Sequence, residues 1–517
     1  MRLQKRLQKL LIASVLAVPF SIPITQPGLT QLPELPPAQN PEASPADDLS
    51  PSPTDNSHTP SSIPAVSGTD DSRPALALTE ADVVSLLLQN NRELRNEALE
   101  RIAQRQELRE AESIFNPDFT PTVSVVVRDR TDDATEITRE ARLGGELLTP
   151  LGTTLEVTVD VIDDQDVELT VTQPLLRGAG RAVNTASVEI ARLQETNNQL
   201  DLRQRLITDI TVGVSTYYAL IRAQASLQIQ QLSFETQQQQ RRSIEALVEA
   251  GRRAQFELVE IDANLAATET DVLEAENALE QAKSDLLDLL DLEDSIEITI
   301  PEEILTDLVV QEAKVLPLEE LVEVAYDNRP DYRQAQLDLQ IAELDEVVAV
   351  DNRRWNLDLR ANASTGDFSE ASTELVLTRL LEDESTETAF QRNQVTQQQL
   401  RNDLERLQSD IRLEVADQLR DVESARNRIE ATRLARELAE QRLENARERA
   451  RRGRTRDIFE VLELQNDVVE AQNSEVNAAI DLADAIASLN QSVGTTLTVW
   501  ADQVESSQLL TMPSSPD

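Results

Sequence analysis

Residues 167–227 read VELTVTQPLLRGAGRAVNTASVEIARLQETNNQLDLRQRLITDITVGVSTYYALIRAQASL, and two periods meet inside them. Val167, Leu169 and Val171 alternate with Glu168, Thr170 and Thr172, the two-residue period of a strand with one apolar and one wet face. Pro174, Gly178 and Gly180 stop that strand. Beyond them apolar residues recur at Ala186, Ile190, Leu193, Leu200, Ile207, Val214, Tyr218, Ile221 and Ala225, spaced by three, four or seven, which is the seam of a coiled coil. Leu206, Ile210, Tyr217, Leu220 and Leu227 form a second stripe, so this helix meets neighbours on two sides. Run from Arg181 to Ala250, it would reach roughly 105 Å at 1.5 Å per residue. A compact globule has no room for such an element, whereas a filament, a stalk or a tube does.

Working outward, the same units recur. Asp82 to Arg95 (DVVSLLLQNNRELR) matches Glu320 to Arg333 (ELVEVAYDNRPDYR) at an offset of 238, and Phe256 to Leu265 (FELVEIDANL) matches Phe459 to Val468 (FEVLELQNDV) at an offset of 203. The chain is therefore an internal duplication, and the shorter second offset reflects a longer strand-bearing insert in the first copy. The first repeat is expected over 79–316, with a helix starting at the N-cap Thr79 and running to about Phe115, strands within 117–176, the long helix 181–250 and a further helix 254–292. The second is expected over 317–500, with a helix from Pro317 to near Asn352, strands within 354–381, a long helix 383–452 carrying Leu404, Leu407, Ile411, Val415, Val422, Ala425 and Ile429, and a helix 456–494.

Strict alternation marks Thr122 to Arg128, Leu155 to Val161 and Val167 to Thr172 as strands, with another around Arg139 to Leu148. The second copy has a shorter pair, Trp355 to Ala363 and Thr373 to Leu381. Two solvents explain such amphipathic hairpins. A soluble sheet packs its apolar face on helices, and a transmembrane barrel turns it to lipid around a wet lumen. Four to six strands per chain are too few for a wide barrel, but several chains can pool them and so remove the exposed edges.

The chain has 94 acidic and 48 basic side chains among 517 residues, a formal charge of −46, with one histidine and no cysteine. Disulfides, thiolate chemistry, Cys/His zinc sites and histidine-dependent triads are thereby excluded, and no metal, cofactor or enzyme activity is expected. A polyanion of this strength is no nucleic-acid partner.

Arg2, Lys5, Arg6 and Lys9 precede an apolar run from Leu10 to Val18, the pattern of an export signal, assigned here to residues 1–25. That run is about half of the ~20 residues a spanning helix needs. Thirteen of the 22 prolines precede residue 75, so 26–78 reads as a disordered Pro/Ser-rich linker with His58 solvated inside it. Residues 501–517 read as a disordered tail.

The strand ending in Thr172-Gln173-Pro174-Leu175-Leu176-Arg177-Gly178-Ala179-Gly180, followed by a very long helix, resembles the outer-membrane efflux proteins of the TolC family, whose sequences carry a similar Q-P-L-x-x-G-x-G junction. The duplication, two glycine-marked tips and the acidic helices after them strengthen the resemblance, which covers about 79–500. It implies a mainly α fold with a membrane β-barrel portion: duplicated long-helix hairpins form a trimeric α-barrel, a periplasmic tunnel, capped by a transmembrane β-barrel pooled from three chains. It further implies a homotrimer in the cell outer membrane, in contact with outer-membrane lipid and extending into the periplasm. Such a trimer docks on a periplasmic adaptor (membrane fusion) protein and an inner-membrane pump or ABC exporter, as the passive channel of a tripartite efflux or type I secretion system. A non-channel envelope coiled-coil scaffold is the alternative.

Two candidate sites follow. In the family a matching arginine and acidic pair sit at the periplasmic constriction, which places Arg456, Glu460 and Glu463 there, with Glu257 and Glu260 at the corresponding places of the first copy. Glu460 and Glu463 share a helix face, and three chains would stack them as two acidic rings that select cations. Around the tips, Gly251, Arg252, Arg253, Arg451, Arg452, Gly453 and Arg454 make positive patches on an acidic molecule, candidates for docking the adaptor. The plainer readings are a solvated helix face for the acids and local neutralisation for the arginines.

Overall fold

A computed structural model describes residues 75–128, 136–162, 166–293, 297–300, 316–365, 370–379, 383–451 and 458–507. Contacts separate Met1–Asp70 from Asp71–Asp517, and every described residue lies in the second unit. The proposed export signal, most of the linker with His58, and residues 508–517 lie outside the described residues.

The first repeat opens with a short strand, β1 (Ala75–Ala77), then α1 (Glu80–Asn90) and α2 (Arg92–Ser113). Four strands follow, β2 (Asp118–Arg128), β3 (Glu136–Leu148), β4 (Thr154–Asp160) and β5 (Val167–Pro174). After a single turn, Arg181–Asn184, come the long helix α3 (Ala186–Glu249), then α4 (Gln255–Leu289) and β6 (Glu297–Thr299). The second repeat comprises α5 (Leu318–Asn328), α6 (Pro330–Asn352), β7 (Asn356–Ser364), β8 (Glu370–Thr378), the long helix α7 (Glu384–Arg451) and α8 (Ile458–Val493). A turn, Thr496–Val499, leads to a last helix, α9 (Ala501–Ser507).

Thr79 caps α1 as expected: its hydroxyl accepts from the Asp82 amide at 3.3 Å and the Asp82 carboxylate accepts from the Thr79 amide at 3.0 Å. The single helix expected from Thr79 to Phe115 is, however, two. Asn91 stops α1 because its side chain accepts from the amides of Glu93 and Leu94, capping α2 instead. Its counterpart at the offset of 238 is Arg329, extended because Pro330 follows it, and the helix expected over 317–352 is likewise broken. Both breaks are tied to the same place. Asn91 donates to the Leu289 carbonyl at 3.2 Å, and Arg329 donates to the Ser492 carbonyl at 2.8 Å.

Those ties flank two equivalent cores. In the first, Val83, Val84 and Leu87 of α1 are buried against Leu206, Ile210, Val214 and Tyr217 of α3 and Leu286 and Leu290 at the end of α4. In the second, Leu321, Val322 and Ala325 of α5 are buried against Ile411, Val415 and Val422 of α7 and Leu489 and Val493 of α8. The offsets of 238 and 203 seen in sequence are thus the offsets of spatially equivalent residues. Each such aliphatic side chain withdrawn from water contributes about 1.5–3 kcal/mol. On the side of these cores nearer the strands α2, α3, α6 and α7 pack in neighbouring pairs, and on the other side α4, α3, α8 and α7 do.

Two segments expected to be unstructured belong to the first core. β1 pairs parallel with β6, and Leu78, Ile298 and Ile300 are buried there. Val504 of α9 joins them. β1 is too short to show a period, and Val504 stands alone in a polar segment, which is why the sequence hid both.

Strands from both repeats form one antiparallel sheet in the order β2-β3-β4-β5-β7-β8. Register keeps the two faces distinct across all six. One row runs Phe119, Gly145, Val157, Leu169, Ala363, Ala371, while a row on the opposite face runs Asp118, Glu146, Glu156, Thr170, Asn362, Ser372. Among the described residues no helix covers the apolar face of the outer strands: Phe119 is 70%, Val123 77% and Leu375 63% exposed.

The Q-P-L-L-R-G-A-G junction holds the sheet to the helices. A Cβ on Gly152, in the β3–β4 turn, would lie 2.2 Å from the Gly178 carbonyl oxygen, and both glycines have positive φ. Asn184 donates to the Gly178 and Gly180 carbonyls at 2.8 and 2.7 Å, and the Gly178 amide donates to the buried Asp351 carboxylate at 2.6 Å. Only glycine permits that approach.

Candidate functional site

The first hairpin tip is built from the end of α3. Gly251, at φ 66, donates to the Val248 carbonyl and Arg252 to that of Leu247, each at 2.9 Å, a Schellman closure that lets α4 turn back along α3. Glu257 is buried in the first turn of α4 and accepts from Arg253 at 2.8 Å. Glu260 is half-buried, and Arg252 is exposed. Behind this pair Ile244 and Ile261 are buried against Leu462 of α8, so the two tips share an apolar contact. Arg241 pairs with Asp262 at 2.6 Å and Glu245 at 3.0 Å.

At the second tip Arg452, Gly453, Arg454 and Arg456 lie outside the described residues, and Arg451 is the last residue of α7. The half-buried Glu460 accepts from Arg449, across the hairpin, at 2.8 Å. Glu463, one turn along α8, is exposed. Each tip therefore holds one acid neutralised by an arginine of its own hairpin, Glu257 with Arg253 and Glu460 with Arg449. The arginine brought to Glu460 is Arg449, which the motif alone did not single out.

Sequence reasoning also missed the polar seam between the repeats. Asp481 of α8 accepts from Arg222 of α3 at 2.8 Å and from Arg428 of α7 at 3.0 Å, joining three long helices through one carboxylate. One turn along α8, Asp484 accepts from Ser215 of α3, and Glu475 pairs with Arg436 and Arg433 of α7. The available signal was an acid in an alanine-rich stretch, Ala478 to Ala487, where a solvated face has no reason to be so apolar.

Where this seam meets the first core, Tyr218 donates to Glu80 at 3.0 Å. Burial raises the Glu80 carboxyl above its usual 4.5, partly offset by that hydrogen bond. Burial and the carboxylates of Glu80 and Asp82 raise the Tyr217 phenol, and burial with Glu80 and Asp484 raises that of Tyr218. Among the described residues no group of three or more His, Asp or Glu is placed to hold a metal ion, and no helix is long and apolar enough to cross a membrane.

Against this geometry, residues 83–291 match the family model of the outer membrane efflux proteins. That match spans most of the first repeat. The family is one of efflux proteins rather than enzymes. No curated protein matches the sequence. Several solved outer-membrane proteins, channels among them, share the fold over both repeats. CusC, described for its folding and transmembrane channel formation, is 17% identical with a TM-score of 0.63, over 83% of this chain and 95% of that one. The outer membrane channel CmeC of Campylobacter jejuni is 14% identical at 0.61, over 88% and 98%. VceC of Vibrio cholerae is 14% identical at 0.63, over 80% and 96%. The helical hairpins joined to an antiparallel sheet are thus the fold that these outer-membrane channels share.

Proposed function

We propose that the chain is the outer-membrane subunit of a tripartite efflux or type I secretion system, a homotrimer conducting substrates passively from an inner-membrane pump across periplasm and outer membrane. The observation that carries this reading is the sheet: its apolar face is continuous through strands of both repeats and, among the described residues, uncovered, which suits lipid and not a helical cap. The opposite face carries Asp118, Glu146, Glu156, Glu168, Asp358 and Glu374 against Arg142 and Arg360, so it forms a wet, acidic lumen wall.

At the far end of the helices the tips close the conduit. Glu460 and Glu463 form acidic rings in the trimer, with Glu257 and Glu260 beside them. The Arg449–Glu460 pair, supplemented by Arg456, pins the second hairpin closed. Arg252, Arg253, Arg451, Arg452 and Arg454, around Gly251 and Gly453, dock the periplasmic adaptor.

Planar-bilayer recording tests this assignment. Wild-type channels should be cation-selective, and the double substitution Glu460→Gln with Glu463→Gln should raise conductance and move the reversal potential toward zero. Unchanged conductance and selectivity in an assembled variant would remove the gate from these residues. Reversing Arg452 and Arg454 to glutamate should weaken adaptor capture in a pull-down, and undiminished capture would refute the docking role.

A further inference from the structure

We infer that Arg177, Trp355 and Arg379, with Arg392 beside them, form a binding site for the phosphate headgroup of an anionic glycerophospholipid in the membrane leaflet nearest the helices. The site rests on the lipid-facing sheet proposed above and adds a chemical preference to it.

A row of side chains is the first observation. β5 continues past Pro174 in the same register against β7: the Leu175 amide donates to the Leu357 carbonyl at 2.7 Å and the Arg177 amide to the Trp355 carbonyl at 3.1 Å. β7 in turn sets Leu359 opposite Leu375 and Leu357 opposite Leu377. On the apolar face, successive rows toward the helices are therefore Gln173, Leu359 and Leu375, then Leu175, Leu357 and Leu377. One step of two residues further stand Arg177, Trp355 and Arg379. The Arg379 guanidinium lies over the Trp355 ring, 5.0 Å from its centroid, so the two side chains share that face.

The second observation is the change of chemistry at this row. Leu175, Leu359, Leu375 and Leu377 are exposed, a surface suited to acyl chains. Arg177, Trp355 and Arg379 are exposed as well. Tryptophan and arginine at the edge of an apolar band mark the level of lipid headgroups.

The third is that these cations have no acid of their own. Arg353 and Arg354, beside Trp355 in sequence, pair with Glu387 and Asp351, each at 3.0 Å. Among the described residues Arg177, Arg379 and Arg392 pair with no carboxylate, a local exception in a chain with 94 acids and 48 bases. Arg177 and Arg392 line one open groove of about 520 Å³ between α6 and α7, together with Asn352 and Asn393, and the one acid lining it is Asp345. Guanidinium forks match phosphate oxygens, and basic pockets at a membrane edge take lipid headgroups. A phosphate seated between Arg177 and Arg392 leaves its acyl chains to run over Leu175, Leu357 and Leu377. A zwitterionic lipid would bring its own ammonium group into this cluster of guanidinium groups, so the anionic lipid is preferred.

The chain has two tryptophans, Trp355 and Trp500, and Trp500→Phe leaves Trp355 as the reporter. Full-length Trp500→Phe protein in phosphatidylcholine vesicles is given a small fraction of lipid with brominated acyl chains, carried either on phosphatidylglycerol or on phosphatidylcholine. Brominated phosphatidylglycerol should quench Trp355 as though enriched about fivefold or more at the ring. Arg177→Gln should lower that enrichment, and adding Arg379→Gln and Arg392→Gln should remove it. If Trp500→Phe does not assemble, wild-type emission carries the same comparison, because Trp500 packs against the first core and adds a constant background. Equal quenching by the two lipids, as when acids of a neighbouring chain or soluble anions hold the arginines, overturns the site and leaves the lipid-facing sheet standing. Quenching by neither overturns both.

Discussion

The two repeats solve the same structural problems with different residues. Where the sheet returns to the long helix, the first repeat uses a glycine cradle in which Gly152 and Gly178 touch backbone to backbone. The second uses Asp383, whose carboxylate accepts from Ser385 at 2.6 Å and from the Thr386 amide at 3.2 Å. Where the last helix of each repeat ends, the first repeat has Asp291 at φ 53, and the second has Gly494 at φ 76, 203 residues on. At the start of the first helix, Glu80 in one copy corresponds to Leu318 in the other. What is shared is the position and, at the helix ends, the positive φ. What differs is how much each site tolerates, and that difference can be measured.

The largest effect is expected at the first junction. Gly152→Ala puts a Cβ within 2.2 Å of a backbone oxygen at φ +88, so the turn must move, with an expected loss of about 3 kcal/mol or more. Thermal unfolding followed by helical circular dichroism should show it. Asp383→Ala, at the second junction, should cost much less and depend on pH. Hydrogen bonds from Ser385 and Thr386 hold that carboxyl down at about 2, against an ordinary 3.8. Its folded value is depressed, so its stabilisation is complete above pH 3.8 and is lost as pH falls through about 2. A Gly152→Ala protein as stable as wild type would mean the two junctions are equally permissive.

The helix ends come next. A Cβ on Gly494 would meet the Asn328 carbonyl carbon at 3.0 Å and the Arg329 amide nitrogen at 3.1 Å, and Gly494→Ala should destabilise by about 1–3 kcal/mol. Asp291→Gly should be near neutral or stabilising by up to about 1 kcal/mol, since it relieves a positive φ. The ion pair it forfeits is with Arg92, which is 80% exposed. Equal effects at the two sites would contradict the equivalence drawn between them.

The smallest effect concerns Glu80. Its folded value is raised above 4.5 by burial, so folding binds a proton there. The stabilisation is fully present below pH 4.5 and is lost as pH rises through the raised value. Glu80→Gln keeps an acceptor for Tyr218 and should be more stable than wild type at neutral pH, the gap closing as pH falls toward 4.5. A constant gap across that range would move the cause elsewhere.

Much of this architecture was legible from periodicity: the heptad seam of α3, the alternation of Val123, Val125, Val157 and Leu169, and the two offsets of the duplication. The Gly178-Ala179-Gly180 break announced a junction, though not that Gly152 would press against it from 26 residues upstream. The helix breaks were harder to read, because Asn91 sits inside an unbroken helical pattern and acts through its side chain on two later amides. β1 and α9 stayed hidden because they contribute one or two apolar residues to a core built mostly by others. The site was legible in part. Glu257 and Glu460 are singled out by the resemblance of their motif to the family's, and each accepts from an arginine of its own hairpin. Arg449 and the Asp481 seam are not singled out, because partners across a hairpin or between repeats leave no local spacing to read.

The central claim, that the uncovered face of the six-stranded sheet meets lipid in a closed assembly of three chains, is tested most directly by mass. Protein extracted from outer membranes in mild detergent should scatter light as about three chain masses once bound detergent is subtracted. Release as a monomer or dimer by salt alone would show that the sheet does not face lipid, and would favour an envelope scaffold instead.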